Sequence, residues 1–493
     1  MILVILISAL LAGGLISWIL GRWSKQLPKY ISLAALLFAL YILIIMWHFI
    51  ATPTPLPWKI EYIIKWIPAF GISFHLAIDG LSYIMIFLTF ILGIIAVLFS
   101  WNSIHEKTGF YFFNLLWMLA GITGIFLAID LFLFYFFWEV MLIPLYFIML
   151  LWGGENRNKS AFKFLVYTQG SSLLMLISIL ILSFLYTQKA NVITFDYNEL
   201  IMDPVRPGAS LLLMGGFMIA FFVKFPIIPF HGWIPDAFSS SPVGANITGL
   251  LIKTGAYGMF RFAIPLFPKA AMILSPYMMT LGVITIIYGA ILAFSQTNIY
   301  RLIAYSTISH MGFVLLGLFA FTEMAYQGVI IQMIASALSS CGLLLIAAII
   351  RQRTGSDDLQ SMGGLWKKVP ILSGFTLVFA LASLGLPATA NFVAEFMILA
   401  GTFKINILMT CLACIGLVIS AVYALRLVQK FAYGSVSDNK EIADASPLAR
   451  IILGALIILT IGIGLFPQSL INRAKPAIEK AFTVNYPLHP DKK

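Results

Sequence analysis

Glu139, Lys224, Lys253 and Glu395 are ionisable side chains set inside long apolar runs. Glu139 lies in LFLFYFFWEVMLIPLYFIMLLW and Lys224 in LLLMGGFMIAFFVKFPIIPFHGW. A charge near the centre of a bilayer costs about 2.5–3.5 kcal/mol on insertion scales. Four such charges predict a buried pathway for protons or ions, with acids and lysines as its stations. A carboxylate in apolar surroundings holds its proton more tightly, and a nearby ammonium reverses that effect. Glu139 can therefore change charge when a partner moves, and Lys224 is the natural partner. The competing reading of this pair is purely structural.

Lys253 stands in ANITGLLIKTGAYGMFRF, too deep in its run for easy snorkelling. Gly249, Thr254, Gly255, Ala256 and Gly258 around it permit close helix packing and leave space for water. The alternative role is a lysine capping the carbonyls of a broken helix. His310, in IAYSTISHMGFVLLG, has Ser306, Thr307 and Ser309 beside it and reads as a proton relay. His231 reads equally as relay or cap. Glu395 sits one turn beyond Asn391 and suits a terminal station. Asp130 and Asp236 read as local caps.

These stations need helices to carry them. The chain of 493 residues is 61% hydrophobic and 10% charged, which excludes a soluble globular protein. Apolar stretches long enough to cross ~30 Å of hydrocarbon recur throughout. Hydropathy places about fourteen spans, near 2–20, 30–50, 80–101, 110–129, 131–152, 161–186, 209–230, 245–267, 275–297, 299–321, 325–350, 371–403, 405–433 and 450–472. The first reads as a retained helix, not a signal peptide. Lysine and arginine concentrate in loops after odd-numbered spans, which puts those loops in the cytoplasm and both termini outside. The cations of the C-terminal tail run against this assignment. The net charge of +11 has no basic stripe or soluble domain behind it and does not indicate nucleic acid.

Two spans are interrupted. The seventh contains Pro226 and Pro229, with Pro235 and Pro242 following, and the twelfth contains Gly385, Pro387 and Asn391. Interrupted helices at matching places in two halves indicate inverted repeats of the transporter kind. Spans 4–8 and 9–13 are the candidate five-helix repeats. The expected fold is an all-α polytopic membrane protein, divided into residues 1–109, 110–267 (first repeat), 268–433 (second repeat) and 434–493. Cys341, Cys411 and Cys414 lie in apolar segments and suit neither a disulfide framework nor a metal site. No dinucleotide, iron–sulfur, haem or phosphate-loop motif is present in the sequence. The driving force for ion movement must come from another subunit or from an existing gradient.

The stretches LAIDLFLFYFFWEVMLIPLYFI, VKFPIIPFHGWIPDA, LLIKTGAYG, RLIAYSTISHMGF and LPATANFVAEF resemble the antiporter-like membrane subunits of respiratory complex I. The resemblance runs from about residue 70 to 470 and is nearest to the M type of bacterial NADH:quinone oxidoreductases. It implies fourteen helices, two inverted repeats and a proton channel. It implies that Glu139 and Lys224 form the family's ion pair, that Lys253 is the central lysine, and that Glu395 is the terminal acid. Glutamate at 395, where the L and N types usually carry lysine, points to the M type. The resemblance further implies L- and N-type partner subunits, FMN, iron–sulfur clusters and quinone in partner subunits with none on this chain, and a bacterial inner membrane. Two positions depart from the pattern, Phe238 and Ser336, where relatives often carry histidine. Ser336 is then a relay only through water. The segment between Pro242 and Lys253 is also about two residues short. Alternative readings are a subunit of a multisubunit cation/proton antiporter, or a membrane partner of a hydrogenase or carbon-uptake complex.

Overall fold

The computed structural model describes residues 1–51, 58–202, 205–249, 253–433 and 443–485. From the N-terminus these form α1 (Ile2–Leu20), α2 (Leu27–Ala51), β1 (Ile60–Ile67), β2 (Ile72–Ile78), α3 (Gly80–Ser100), α4 (Thr108–Leu127), α5 (Leu131–Trp152) and α6 (Arg157–Ala190). Then come α7 (Tyr197–Leu200), α8 (Pro207–Lys224), α9 (Ile234–Ser240), α10 (Val243–Gly249), α11 (Thr254–Gly258) and α12 (Ile264–Leu266). The remainder is α13 (Pro268–Ser295), α14 (Ile299–Phe319), α15 (Glu323–Thr354), α16 (Leu365–Lys368), α17 (Pro370–Ser383), α18 (Ala390–Phe403), α19 (Ile407–Ala432), α20 (Pro447–Leu465) and α21 (Gln468–Asn485).

Among the described residues, eleven helices are long and apolar enough to cross a membrane. They correspond to eleven of the expected spans, and the polytopic helical reading holds. The other three expected spans are all interrupted. Helix α8 stops at Lys224 because Pro226 and Pro229 follow, and neither can donate to a helical ladder. Pro235 instead falls in the first turn of α9, where a missing N–H does no harm. The span expected over 371–403 divides into α17 and α18, which flank a break from Leu384 to Thr389. Asn391 lies in the first turn of α18, not in the break. The third interruption was not expected. The 245–267 segment is α10, α11, a π-helical turn over Met259–Ala263, and α12. Residues 250–252 of the shortened stretch before Lys253, and residues 486–493 of the tail, lie outside the described residues.

Several helices begin on side-chain caps. Asp79 accepts from Ser82 N ahead of α3, and Asp130 accepts from Phe132 N and Leu133 N ahead of α5. Asn298 and Thr322 cap α14 and α15 in the same way. The local role expected of Asp130 is present. Asp236 lies in the first turn of α9, where an acid is favoured by the helix dipole, and also pairs with Arg301 at 3.2 Å.

The helices are joined by one element that hydropathy passes over. Strands β1 and β2 form an antiparallel hairpin, with Glu61 opposite Ala77 and Ile63 opposite His75. The runs IEYIIKWI and ISFHLAI are rich in β-branched and aromatic residues, and the turn between them ends on Gly71 at φ +67°. Neither run is long enough to register as a span.

The chain forms two compact units. The first comprises Met1–Phe225, Ser240–Leu274 and Arg473–Lys493, and the second Pro226–Ser239 and Ser275–Asn472. In the first unit α4 packs between α1 and α5, while α6 packs on α5 and α8. A Cβ on Gly121 would lie 2.8 Å from the Met141 amide nitrogen, so glycine is what lets α4 approach the α5 backbone. In the second unit α15 is enclosed by α14, α17, α18 and α20. Its membrane-spanning stretch is wholly buried.

Candidate functional site

The first unit holds Glu139, Lys224 and Lys253. Glu139 lies mid-way along α5, one residue before Val140, whose carbonyl Pro144 leaves without a helical donor. Its carboxylate is half-buried, and Oε1 has no hydrogen-bond partner among the described residues. The Tyr135 hydroxyl, one turn back, lies near both Glu139 and Ser172. Lys224 is the last residue of α8, where a cation is favoured by the helix dipole. It is 5% exposed, and Nζ sits 5.9 Å from the Phe164 ring centroid. Glu139 acts on Lys224 through space. No direct contact within 4 Å joins them, so the expected ion pair is a Coulombic neighbour and not a closed salt bridge.

Lys253 precedes α11 and is 1% exposed. Its Nζ and the neighbouring Thr254 Oγ1 have no hydrogen-bond partner among the described residues. Burying an ammonium without a partner is expensive, so this position calls for water or for a mobile charge nearby. The head of α11 lies directly on the end of α8. A Cβ on Gly255 would fall 2.6 Å from Phe225 Cβ and 2.7 Å from the Phe221 carbonyl. Lys224 and Lys253 thus stand on touching backbone segments.

The second unit holds His310, Glu395, His231 and Ser336. His310 on α14 and Glu395 on α18 meet directly, Nδ1 to Oε1 at 3.0 Å, and both are buried. The other ring nitrogen faces Ser383 Oγ, at the end of α17, at 3.3 Å. Gln332 on α15 donates to the same Glu395 oxygen at 3.1 Å. Gly385, at φ +81°, makes room for the acid: a Cβ there would meet Glu395 Oε2 at 3.0 Å. Ala388, in the same break, is held at φ +76°, a conformation unfavourable for a residue with a Cβ. The broken span thus brings the acid against an imidazole. Ser336 does not join this cluster, because its hydroxyl donates to the Gln332 carbonyl of its own helix at 2.7 Å. His231 packs its ring against Tyr288 and Tyr305.

Three functional candidates escape a reading of the sequence. Gln332 is one, since a lone glutamine in an apolar helix carries no charge signal. Asp79 and Arg261 are the others: Arg261, in the π turn, pairs with Asp79 at 2.5 Å, and both are buried. Arg261 Nε also donates to the Tyr257 hydroxyl at 3.3 Å, and its guanidinium stacks over Trp58 and Tyr257. The argument from apolar runs that selects Lys253 applies equally to Arg261.

A family model described as NADH:quinone oxidoreductase/Mrp antiporter, transmembrane, matches residues 128–420. The NADH-quinone oxidoreductase subunit M of Escherichia coli strain K12 is 44% identical over 481 residues, which is 94% of this chain and 94% of that one. The same subunit of Pseudomonas aeruginosa is 43% identical over 476 residues, 93% of each chain. Among solved structures, a chain of respiratory complex I from Thermus thermophilus with bound NADH superposes with a TM-score of 0.86 at 27% identity. That match covers 97% of this chain and 100% of the other. A chain of the Mrp complex from Dietzia sp. shares the fold, with a TM-score of 0.84 at 20% identity, covering 100% of this chain and 53% of that one. The family model over residues 128–420 and relatives 44% and 43% identical over more than nine-tenths of each chain agree: this chain belongs to the antiporter-like membrane subunits of NADH:quinone oxidoreductase, in the branch of subunit M.

Proposed function

We propose that this chain is the M-type proton-translocating subunit of a bacterial inner-membrane NADH:quinone oxidoreductase. It carries no redox centre. FMN, iron–sulfur clusters and quinone belong to partner subunits, and quinone reduction elsewhere in the complex supplies the drive. In this reading residues 110–267 and 268–433 are the two inverted repeats, and L- and N-type subunits are its membrane neighbours.

The observation that carries the reading is the buried contact of His310 with Glu395 at a helix break. An imidazole can take a proton at one nitrogen and release another from its second. A proton arriving at Nε2, on the Ser383 side, lets Nδ1 pass its own proton to Glu395 Oε1, which Gln332 holds in place. In the first unit, Lys224 and Lys253 are the stations, bridged by water, and Glu139 sets the charge opposite Lys224. Withdrawal of that charge favours release of the Lys224 proton towards Lys253.

The test is Lys224→Met in the assembled complex, with amounts matched by blue-native separation and NADH-activity staining. Proton uptake per NADH oxidised by quinone should fall. An unchanged ratio would refute the role of this station. The reading as a cation/proton antiporter subunit has the Mrp fold likeness in its favour, but at 20% identity against 44% for subunit M it is the weaker of the two.

A further inference from the structure

The hairpin between α2 and α3 carries a titratable cluster apart from the intramembrane stations. The His75 side chain is 1% exposed, and each ring nitrogen faces a carboxylate. Nε2 lies 2.7 Å from Glu61 Oε1 on the paired strand, and Nδ1 contacts Asp196 Oδ2 ahead of α7. An ionised carboxylate only accepts, so each contact needs an N–H, and a neutral imidazole supplies one. Both contacts are satisfied only when the cluster holds one more proton, formally as an imidazolium between two carboxylates. Glu61 is 42% exposed, which gives that proton a route to water.

The cluster stands where the hairpin meets the head of α5. Ile129 N donates to the His75 carbonyl at 3.0 Å, and Leu131 N donates to the Phe195 carbonyl at 2.9 Å. Ser73 N and Oγ both bind Asp130 Oδ2, while Asp130 Oδ1 caps α5. Asp196 in turn caps α7 through Asn198 N.

We propose that Glu61, His75 and Asp196 form a proton-binding site at the aqueous edge of the first unit, and that its bound proton fastens the hairpin to the head of the helix carrying Glu139. This holds whether or not the intramembrane stations carry protons. Strand β2 also packs against α1, α3, α4 and α5, whose sequences contain no Asp, Glu, Lys or Arg except Glu139. Asp79, just after β2, is held by Arg261, and Asp130 by Ser73 and its cap. Lys65 shares the Glu61 face of β1 and is exposed; Lys59 precedes that strand, and Glu199 lies on α7. Glu61 and Asp196 are therefore the groups that set the ring's charge. Burial works against the charged ring, but the hydrogen bonds and charges of Asp196 and Glu61 outweigh it and raise the His75 pKa above the ordinary 6.5. A raised value means the fastening is complete below the unperturbed imidazole pKa and is lost as pH rises through the raised one.

Hydrogen–deuterium exchange of the assembled complex, read by mass spectrometry across a pH series and corrected for intrinsic exchange, tests this. Amides of Ile60–Ile67 and Ile72–Ile78 should lose protection in a one-proton step above pH 6.5, by about tenfold, the effect of one charge-assisted hydrogen bond. In Glu61→Gln the midpoint should move down, because one carboxylate no longer holds the proton. In His75→Gln the step should vanish. Absence of the step in the native protein, its survival in His75→Gln, or an unmoved midpoint in Glu61→Gln each overturns the proposal. Should His75→Gln fail to assemble, the substitution at half-exposed Glu61 decides alone.

Discussion

Glu395→Gln separates the charge of the acid from its shape. The native carboxylate takes hydrogen bonds from His310 Nδ1 at 3.0 Å and Gln332 Nε2 at 3.1 Å through one oxygen. A glutamine there keeps the chain length and one acceptor but cannot ionise. Charge-assisted bonds of about 1.5–3 kcal/mol become neutral ones of about 0.5–1.5 kcal/mol, a loss on the order of 1–2 kcal/mol. Against a domain stability of roughly 5–15 kcal/mol, the variant should still fold and assemble. Transfer should suffer far more. The glutamine amide cannot take the proton that His310 Nδ1 passes on, and the lost charge partner alone, contributing about 1.5–3 kcal/mol, slows the step by at least about 10- to 100-fold. The assay is proton uptake and NADH oxidation in membranes holding matched amounts of assembled complex. Glu395→Lys should retain some transfer because lysine also titrates. Wild-type uptake by Glu395→Gln would show that the acid only organises the break after Gly385, and the route would have to be sought through His310 and water.

Glu139→Ala should lower proton uptake while leaving assembly largely intact, and Glu139→Asp should be milder. The stability loss should fall below the ~3–5 kcal/mol of a directly bonded buried pair, because Glu139 and Lys224 make no direct contact; thermal-shift measurements on the purified complex check this. Gly385→Ala should destabilise by about 1–2 kcal/mol, since φ is +81° and the new methyl meets Glu395 Oε2, and it should depress uptake as well; normal stability and uptake would show that the break has room to spare. Arg261→Met leaves Asp79 buried without its partner and should cost ~3–5 kcal/mol, seen as loss of assembled complex on blue-native gels, with partial recovery in Arg261→Met combined with Asp79→Asn.

Among the described residues, hydropathy was enough to locate the eleven helices long and apolar enough to cross a membrane, because burial in lipid demands long apolar runs whatever the tertiary packing. Prolines and glycines likewise marked the breaks after Lys224 and Ser383. The π turn at Met259–Ala263 left no comparable mark, since its residues are ordinary helix formers and the distortion accompanies the Arg261–Asp79 pairing across the unit. The hairpin at Ile60–Ile78 was hidden by its brevity. Charged residues in apolar runs identified Glu139, Lys224, Lys253 and Glu395, but a list of charges says nothing of contact. It did not distinguish the direct His310–Glu395 contact from the looser Glu139–Lys224 neighbourhood. Nor could it reveal that Ser336 turns back on its own helix while uncharged Gln332 reaches the acid.

Lys253 bears most directly on the claim that this chain moves protons. It is buried, has no hydrogen-bond partner among the described residues, and lies against the end of the helix that carries Lys224. Lys253→Arg keeps the positive charge but, with a guanidinium pKa above ~12, cannot release a proton readily. The decisive measurement is proton uptake per NADH oxidised in proteoliposomes containing equal amounts of assembled Lys253→Arg and native complex. A proton carrier predicts that Arg fails nearly as badly as Ala. A native ratio with Arg would contradict that account and make Lys253 a fixed charge that shapes the site without carrying protons.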